Sequence, residues 1–316
     1  MKPSMRAACN VGLLVFLLGA STTGAQALEL KLLLAQTEPD GVLLLGQPVV
    51  VLVILQNNGE KPVKVPTQEL APEYNHVRLW IRHPAGREEE LRPPVHYEGP
   101  GQIHALEPGK FVFDFAKIFY TSQGPLFREP GWYSVRGLYV FRGVTAESSV
   151  LSFRVIAPDD PAEHQQAMLL VQDEASLFMY FDGGSHLKRG LAWLQSAADL
   201  KPDSLLAGYA WYALGRNLTR DSYDNRERSW SPADLRTSIE YLSKAKRAPL
   251  SPYYTKQTYL GLIYAYDKIG LKKEATALAN EYVQRTSKET SKKWYLTSFD
   301  RDVSTILPDF SRDRPP

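Results

Sequence analysis

The spacing of hydrophobic residues changes at residues 156–161 (IAPDDP) of this chain. Before this segment, apolar and polar residues alternate and are interrupted by proline and glycine, which is typical of short β-strands. After it, apolar residues recur every three or four positions, which is typical of amphipathic helices. The pattern therefore predicts a two-domain β + α chain, with strands first and helices after them.

Several segments before residue 156 carry the pattern of strands. Residues 77–83 place Val77, Leu79 and Ile81 on one face, whereas residues 48–56 (PVVVLVILQ) are almost continuously apolar and predict a central strand. Further strands are predicted at residues 28–34, 61–65, 111–115, 132–141 and 149–156. About seven or eight short strands separated by glycine and proline turns predict an antiparallel β-sandwich over residues 28–158.

Two motifs in this part resemble immunoglobulin-like (Ig-like) modules of bacterial exported proteins. One joins residues 46–48 (GQP), the apolar strand after them and residues 57–59 (NNG); the other is residues 130–135 (PGWYSV). The resemblance implies an Ig-like sandwich in which Tyr133 packs at a strand corner. It implies no particular activity, because many functions share this fold.

The helical part, residues 159–290, resembles tetratricopeptide repeats (TPR). In the clearest unit, five residues have the spacing and residue types of that repeat: Tyr259, Leu262, Tyr266, Gly270 and Ala275. An earlier unit begins at Trp211, and residues 219–232 (TRDSYDNRERSWSP) form a polar insertion between the two units. The resemblance implies about three helix pairs, with an irregular helical bundle as the alternative. Residues 291–316 are interpreted as a C-terminal tail.

In such repeats, the first helix of each pair lines a concave groove that binds peptides. The resemblance places on that face Tyr209, Tyr212, Arg216, Arg220, Gln257, Tyr264, Asp267 and Lys268. Arg216, Arg220 and Lys268 are expected to hold a carboxylate, which the planar guanidinium group matches with two hydrogen bonds. The tyrosines are expected to offer stacking surface. The alternative is that the arginines are solvated and the tyrosines fill gaps between helices.

The insertion at residues 219–232 is a second candidate for a partner contact. It contains residue types that protein interfaces favour, namely Tyr223, Arg226, Arg228 and Trp230. A flexible surface loop is the alternative interpretation.

The N-terminal residues have the pattern of a cleavable export signal. Lys2 and Arg6 precede a short apolar run at residues 11–19, and small residues end in Ala-Gln-Ala at Ala27. The apolar run is shorter than the roughly 20 residues of a membrane-spanning helix, so an uncleaved anchor is the less favoured alternative. We therefore predict a signal peptide at residues 1–27 and an exported protein, periplasmic rather than extracellular.

Removal of the signal changes both charge and cysteine content. Cys9, the single cysteine, is lost, and the formal net charge falls from +2 to about zero when Lys2 and Arg6 are removed. A neutral chain argues against a dedicated nucleic-acid binder, which carries a strongly basic face. No later segment has transmembrane length, so no membrane insertion is expected after cleavage.

The sequence carries no recognisable catalytic motif. HExxH, GxSxG, CxxC and a glycine-rich phosphate loop are all absent from it. His96, His104 and Glu98 flank a turn and are the candidate metal ligands, although ordinary loop histidines are the favoured interpretation. We therefore predict no catalytic residue, no cofactor and no metal.

These observations predict a non-enzymatic, exported protein-interaction or scaffold protein. Its helical repeat would bind a protein or peptide on the concave face. One alternative is a protease-inhibitor-type or enzyme-accessory module that acts through Ig-like loops such as residues 92–103. Another is an enzyme whose site is a polar pocket at the domain junction. The identity of the partner and the oligomeric state stay open.

Overall fold

The computed structural model describes residues 28–35, 41–66, 70–98, 102–224, 227–288 and 293–310. Within these ranges the chain forms strands up to residue 156 and helices from residue 161, with one short hairpin among the helices. The class is therefore β plus α. The predicted export signal at residues 1–27 and the predicted contact residue Arg226 lie outside the described residues.

The strands before residue 156 form what we call the β part. In chain order they are β1 Leu28–Leu34, β2 Val42–Leu44, β3 Val50–Asn57, β4 Val63–Pro66, β5 Val77–Arg82, β6 Glu88–Glu90, β7 Ile103–Leu106, β8 Phe111–Lys117, β9 Tyr120–Thr121, β10 Gly124–Pro125, β11 Gly131–Phe141, β12 Val144–Glu147 and β13 Leu151–Ile156. A short 3-10 helix at Pro72–Tyr74 lies between β4 and β5.

Two main sheets build the β part. One has the strand order β1-β3-β8, and the other has the order β2-β13-β11-β5-β6 with β12 paired to β11. Leu30 and Leu32 of β1 pack so tightly on Gly137 of β11 that a Cβ atom at this glycine would lie 3.1 and 3.3 Å from their methyl groups. The two sheets therefore face each other across a shared apolar layer.

One strand pair departs from the antiparallel arrangement that the sequence predicted. β2 pairs with β13 in parallel, from Val42 opposite Arg154 to Leu44 opposite Ile156. Leu30 of β1 also makes a parallel bridge with Ser148. Both β1, at Leu30, and β2 therefore pair in parallel with the segment from Ser148 to Ile156.

The helices after residue 160 form the helical part. They are α1 Pro161–Leu170, α2 Asp173–Phe181, α3 Lys188–Leu200, α4 Leu205–Asn217, α5 Leu235–Arg247, α6 Pro252–Lys268, α7 Lys272–Ser287 and α8 Lys293–Ile306. The hairpin, β14 Ser222–Asp224 with β15 Ser229–Ser231, lies between α4 and α5.

Consecutive helices from α3 to α7 pack against one another. Small residues allow this close approach: a Cβ atom at Gly215 of α4 would lie 2.7 Å from Leu242 of α5, and one at Gly261 of α6 would lie 2.9 Å from the same leucine. Leu242 is fully buried and fills the space between the two glycines.

The predicted C-terminal tail at residues 291–316 is wrong for its central portion, which forms α8. Phe299 and Val303 of this helix are buried, and the Phe299 ring lies 4.3 Å from that of Tyr282 on α7. Residues 295, 299 and 303 have helical spacing, so burial of this apolar stripe against α6 and α7 stabilises a helix here.

The β part and the helical part share one apolar core. Three phenylalanines of β8, at positions 111, 113 and 115, point away from the β11-containing sheet and towards the helices. The Phe115 ring lies 5.3 Å from that of Tyr253 on α6 and 5.2 Å from that of Tyr295 on α8, and Phe113 lies 5.3 Å from Trp294. We call this contact the aromatic junction.

A buried ion pair and further polar contacts join the two parts beside the aromatic junction. Lys117, at the end of β8, binds the Asp182 carboxylate at 2.9 Å and donates to the carbonyl oxygen of Tyr180 at 2.8 Å. The Tyr180 hydroxyl donates a hydrogen bond to Glu73. Since Lys117 and Asp182 are largely buried, they fix the position of α2 on the β part.

Candidate functional site

A pocket of about 600 Å³ opens between the later turns of α4, α6 and α8. We call it the arginine pocket. It is lined by Arg216, Thr219, Arg220, Gln257, Leu260, Tyr264, Arg301, Asp302, Thr305 and Ile306. Its volume lies in the range of about 300–1,000 Å³ that is typical of ligand sites. Four of the predicted groove residues line it: Arg216, Arg220, Gln257 and Tyr264.

Two of these helices, α6 and α8, contribute to both the aromatic junction and the arginine pocket. On α6, Tyr253 contacts Phe115 of the β part, whereas Gln257 and Tyr264 line the pocket one and three turns later. On α8, Tyr295 contacts Phe115, and Arg301 follows in the pocket. The first turns of these helices are therefore covered by the β part, and the later turns are open.

Arg216 is held at the wall of the pocket without a full set of partners. Its Nε atom is buried and makes no hydrogen bond with any described residue. Gly261 on α6 gives the side chain room, because a Cβ atom at this position would lie 3.1 Å from Cδ and 3.4 Å from Nη1 of Arg216. A buried donor without an acceptor is unfavourable, so this guanidinium group is poised to bind one.

The other two arginines of the pocket are already anchored. Arg220 donates through Nη2 to the carbonyl oxygens of Phe181 at 2.9 Å and Asp182 at 3.3 Å, and so caps the C-terminal end of α2. Arg301 donates through Nε to Asp302 at 3.2 Å. Both keep further donors on their guanidinium groups, since each group has five.

Asp302, the carboxylate of the pocket, is engaged by a buried lysine. Lys256 is 2% exposed, and its Nζ atom donates to Asp302 and to Ser298, each at 2.7 Å. Burial lowers the pKa of Lys256, and the neighbouring Asp302 opposes this change. Because Lys256 and Arg301 both bind Asp302, this carboxylate is not available to neutralise Arg216.

The structure contradicts the prediction that Tyr209 and Tyr212 lie on an open groove. Both side chains are 1% exposed, and both rings contact the ring of Tyr254 at about 5 Å. The Tyr209 hydroxyl accepts hydrogen bonds from Ser251 N at 3.2 Å and from Gln47 Nε2 of the β part at 3.3 Å. Tyr209 is covered by Gln47 of the β part, and Tyr212 is covered by Tyr254 of α6, so both rings fill gaps between elements and do not face a groove.

The remaining predicted groove residues do not line the arginine pocket. Asp267 lines a second cavity of about 800 Å³ between α7 and residues 306–310. Lys268 is exposed, and its Nζ atom lies 5.5 Å from the centre of the Tyr264 ring. Since Lys268 does not line the arginine pocket with Arg216 and Arg220, the predicted three-residue carboxylate site is not assembled as expected.

The polar insertion contains a hairpin in its described residues. Tyr223 and Trp230 form a cross-strand pair with ring centres 5.1 Å apart, and their side chains are 41% and 70% exposed. Asp224 is buried and binds Lys188 of α3 at 3.3 Å, which fixes the base of the hairpin. Arg228 is exposed and has a left-handed backbone with φ of 50°.

Sequence reasoning missed Arg301, Asp302 and Thr305, because it assigned this segment to a tail. The helical spacing of Tyr295, Phe299 and Val303 was the signal that could have identified α8. It also missed Lys256, since a lysine in a helical pattern is usually a solvated residue.

Among the described residues, no group of three histidine, cysteine, aspartate or glutamate side chains is arranged to hold a metal ion. His83, which the sequence did not single out, lies 2.8 Å from Glu89 on the outer edge of the β part. No described helix has the length and apolar character needed to cross a membrane.

The chain matches no known family, and no curated protein is similar to it at a significant level. Among solved structures, it is similar to the CARDB domain of a Pyrococcus furiosus protein in complex with di-metal ions (15% identity, TM-score 0.23, 42% of this chain and 94% of that one). It is also similar to a β-glucosidase from Listeria innocua in complex with glucose (18% identity, TM-score 0.23, 40% of this chain and 16% of that one). An alkylpurine DNA glycosylase from Pseudomonas fluorescens bound to DNA gives 15% identity and a TM-score of 0.24, over 42% of this chain and 31% of that one. At these scores, none of the three bears on the function of this chain.

Proposed function

We propose that this chain is a non-enzymatic, exported protein-interaction protein that binds a polypeptide partner at the arginine pocket. The observation that carries this proposal is the convergence of Arg216, Arg220 and Arg301 with Gln257 and Tyr264 around one open cavity. Arginine and tyrosine are the residue types that dominate binding energy at protein interfaces.

Two features support the Ig-like and TPR-like identities that the sequence suggested. The Tyr133 hydroxyl donates to the carbonyl oxygen of Glu129 at 2.9 Å, as expected for a tyrosine at the corner of an Ig-like strand. In the last repeat unit, Tyr259, Leu262 and Ala275 are all buried between helices, as the repeat requires. We therefore propose an Ig-like sandwich followed by a TPR-like array.

The β part restricts where a partner can bind. A continuous groove along the first helices is not open, because Phe115, Lys117 and Gln47 contact its covered end. The partner would therefore insert a side chain or a short segment into the arginine pocket. The exposed pair Tyr223 and Trp230 is the proposed second contact, since rigid aromatic side chains bury area with little loss of entropy.

Affinity capture from the native host, with the full chain and mass spectrometry, tests this proposal. The pocket variant is Arg216→Gln with Arg301→Gln, and the hairpin variant is Tyr223→Ser with Trp230→Ser. The matched control is Lys268→Gln, which removes a charge from α6 outside the pocket. We expect a partner that the wild type and the control both capture and that the pocket variant loses.

The competing functions predict other results in the same experiment. Capture that all variants retain would contradict binding at the pocket and at the hairpin. Stable capture of a protease that depends on loop residues near Arg92, and not on Arg216, would favour the inhibitor-type alternative.

A further inference from the structure

We infer that the arginine pocket binds a single oxyanion through Arg216 and Arg301, next to an apolar group of the same ligand. This inference rests on the proposed function and identifies the chemistry that the pocket recognises. It differs from the sequence-based expectation, in which Lys268 bound the carboxylate together with Arg216 and Arg220, and α8 contributed no residue to the site.

The charges of the lining residues favour an anion. Three guanidinium groups and one carboxylate line the pocket, and that carboxylate is bound to Lys256 at 2.7 Å and to Arg301 at 3.2 Å. A cation would therefore meet uncompensated positive charge. An oxyanion would instead find free donors on all three guanidinium groups.

The buried Nε atom of Arg216 provides an independent argument. Polar atoms that are buried in folded proteins nearly always have a hydrogen-bond partner, and this one has none among the described residues. The Arg216 side chain occupies the space that Gly261 leaves, since a Cβ atom there would lie 3.1 Å from its Cδ atom. A ligand oxygen at the terminal nitrogens of Arg216 would supply the anionic partner that this guanidinium group lacks among the described residues.

The remaining walls suggest what accompanies the anion. Leu260, Ile306 and the ring of Tyr264 line the pocket beside the arginines, and Gln257 adds an amide. An acidic side chain with an apolar neighbour in a polypeptide fits these walls. A free oxyanion such as phosphate shares the charge but makes no use of the apolar wall.

Three probes separate these sources in titration calorimetry with the full chain. They are acetyl-Leu-Glu-Leu-amide, acetyl-Leu-Gln-Leu-amide and inorganic phosphate. We expect the acidic peptide to bind about tenfold or more tighter than the amide peptide, because charge-assisted hydrogen bonds to a desolvated guanidinium group are lost in the amide. Tighter binding of the acidic peptide than of phosphate assigns the site to an acidic side chain. The reverse order assigns it to a free oxyanion, and either order supports the oxyanion site.

The variants test which arginine is responsible. Arg216→Gln is expected to weaken the acidic peptide about tenfold or more, Arg216→Lys by a smaller factor, and Lys268→Gln by less than about twofold. Thermal unfolding of each variant checks that the fold is retained. Arg216→Lys keeps the charge and loses the planar fork, so it serves as the second test if Arg216→Gln unfolds.

Equal affinities for the acidic and amide peptides together with no binding of phosphate, or no measurable binding of any probe, overturn the oxyanion site. Unchanged affinity in both Arg216 variants also overturns it. These outcomes leave the proposed function intact if the pocket variant still loses its captured partner. Conversely, peptide binding that needs Arg216, together with partner capture that does not, contradicts the proposed function alone.

Discussion

The two ends of α4, α6 and α8 differ although the same three helices form both. At the covered end, Tyr253 and Tyr295 pack on Phe115 of the β part, and Tyr254 packs on Tyr253. At the open end, Arg216 and Arg301 face a cavity. The helical period is the same at both ends, so contact with the β part, which the period does not encode, distinguishes the covered end from the open end.

The largest expected effect comes from removing the ring at the centre of the covered end. Tyr254 is fully buried and contacts the rings of Tyr209, Tyr212 and Tyr253, all at about 5 Å. Tyr254→Ala should lower the free energy of unfolding by about 3–5 kcal/mol, measured by denaturant titration, because it leaves a cavity.

The matched control for that variant is Tyr254→Phe. The Tyr254 hydroxyl makes no hydrogen bond with the described residues, so its removal should change the free energy of unfolding by less than about 1 kcal/mol. A loss as large as that of Tyr254→Ala would show that a polar contact, rather than ring packing, holds the covered end together.

The next largest effect concerns the ion pair between Lys256 of α6 and Asp302 of α8. Lys256→Met leaves Asp302 without its buried partner and should lower the free energy of unfolding by about 2–3 kcal/mol in the same titration. The loss is smaller than for a fully buried pair, because the Asp302 side chain is 28% exposed. The double variant Lys256→Met with Asp302→Leu should recover much of it. If it recovers nothing, packing rather than charge explains the loss.

The stability of the β part should also depend on pH through Asp114. Burial raises the pKa of Asp114 on β8 from 3.8 to about 6, opposed by Arg301 and reinforced by Glu73. Because the folded-state pKa is the higher one, the Asp114 contribution to stability is fully present below pH of about 4 and is lost as the pH rises through about 6.

Asp114→Asn tests this contribution. The variant should remove about 2 kcal/mol of pH dependence between about pH 4 and 7, and it should be more stable than the wild type at neutral pH. The free energy of unfolding, measured at intervals across this range, checks both statements. Identical pH profiles of the two proteins would contradict the raised pKa.

The smallest effects should occur at the open end. Arg220→Ala removes two hydrogen bonds to the end of α2 and should lower the free energy of unfolding by about 1 kcal/mol. The Nε atom of Arg216 makes no hydrogen bond with the described residues, so Arg216→Gln should change the melting temperature very little. An Arg216 variant less stable than Arg220→Ala would indicate that Arg216 is structural.

The sequence predicted the longer strands, including β1, β3, β8 and β11, and most of the helices, because periods of two and of three to four residues depend on local burial. It predicted the last helix pair well enough to place Gln257 and Tyr264 near Arg216. It could not predict that Tyr209 is covered. That depends on contact with Gln47, 162 positions away in the chain, and no local pattern records such a contact.

The same limit applies to β8 and α8. The alternation of residues 111–115 predicts a strand, but both of its faces carry apolar residues, so the pattern does not say which face meets the helices. The residues of α8 that line the pocket are polar and charged. Only the helical spacing of Tyr295, Phe299 and Val303 indicated a helix. Because the sequence analysis assigned this segment to a tail, it also failed to identify Arg301 as a pocket residue.

The three phenylalanines of β8 have a consequence for how this chain can be divided. Phe113 and Phe115 are half-buried against α6 and α8, and Phe111 contacts Trp294 of α8 but is 42% exposed. A fragment ending near residue 158 would present all three rings to solvent as one apolar patch, and such patches promote aggregation. A gene rearrangement that transferred the strands without the helices would therefore produce a protein with an exposed, aggregation-prone apolar surface. Inheritance of the strands and the helices as one unit avoids that outcome.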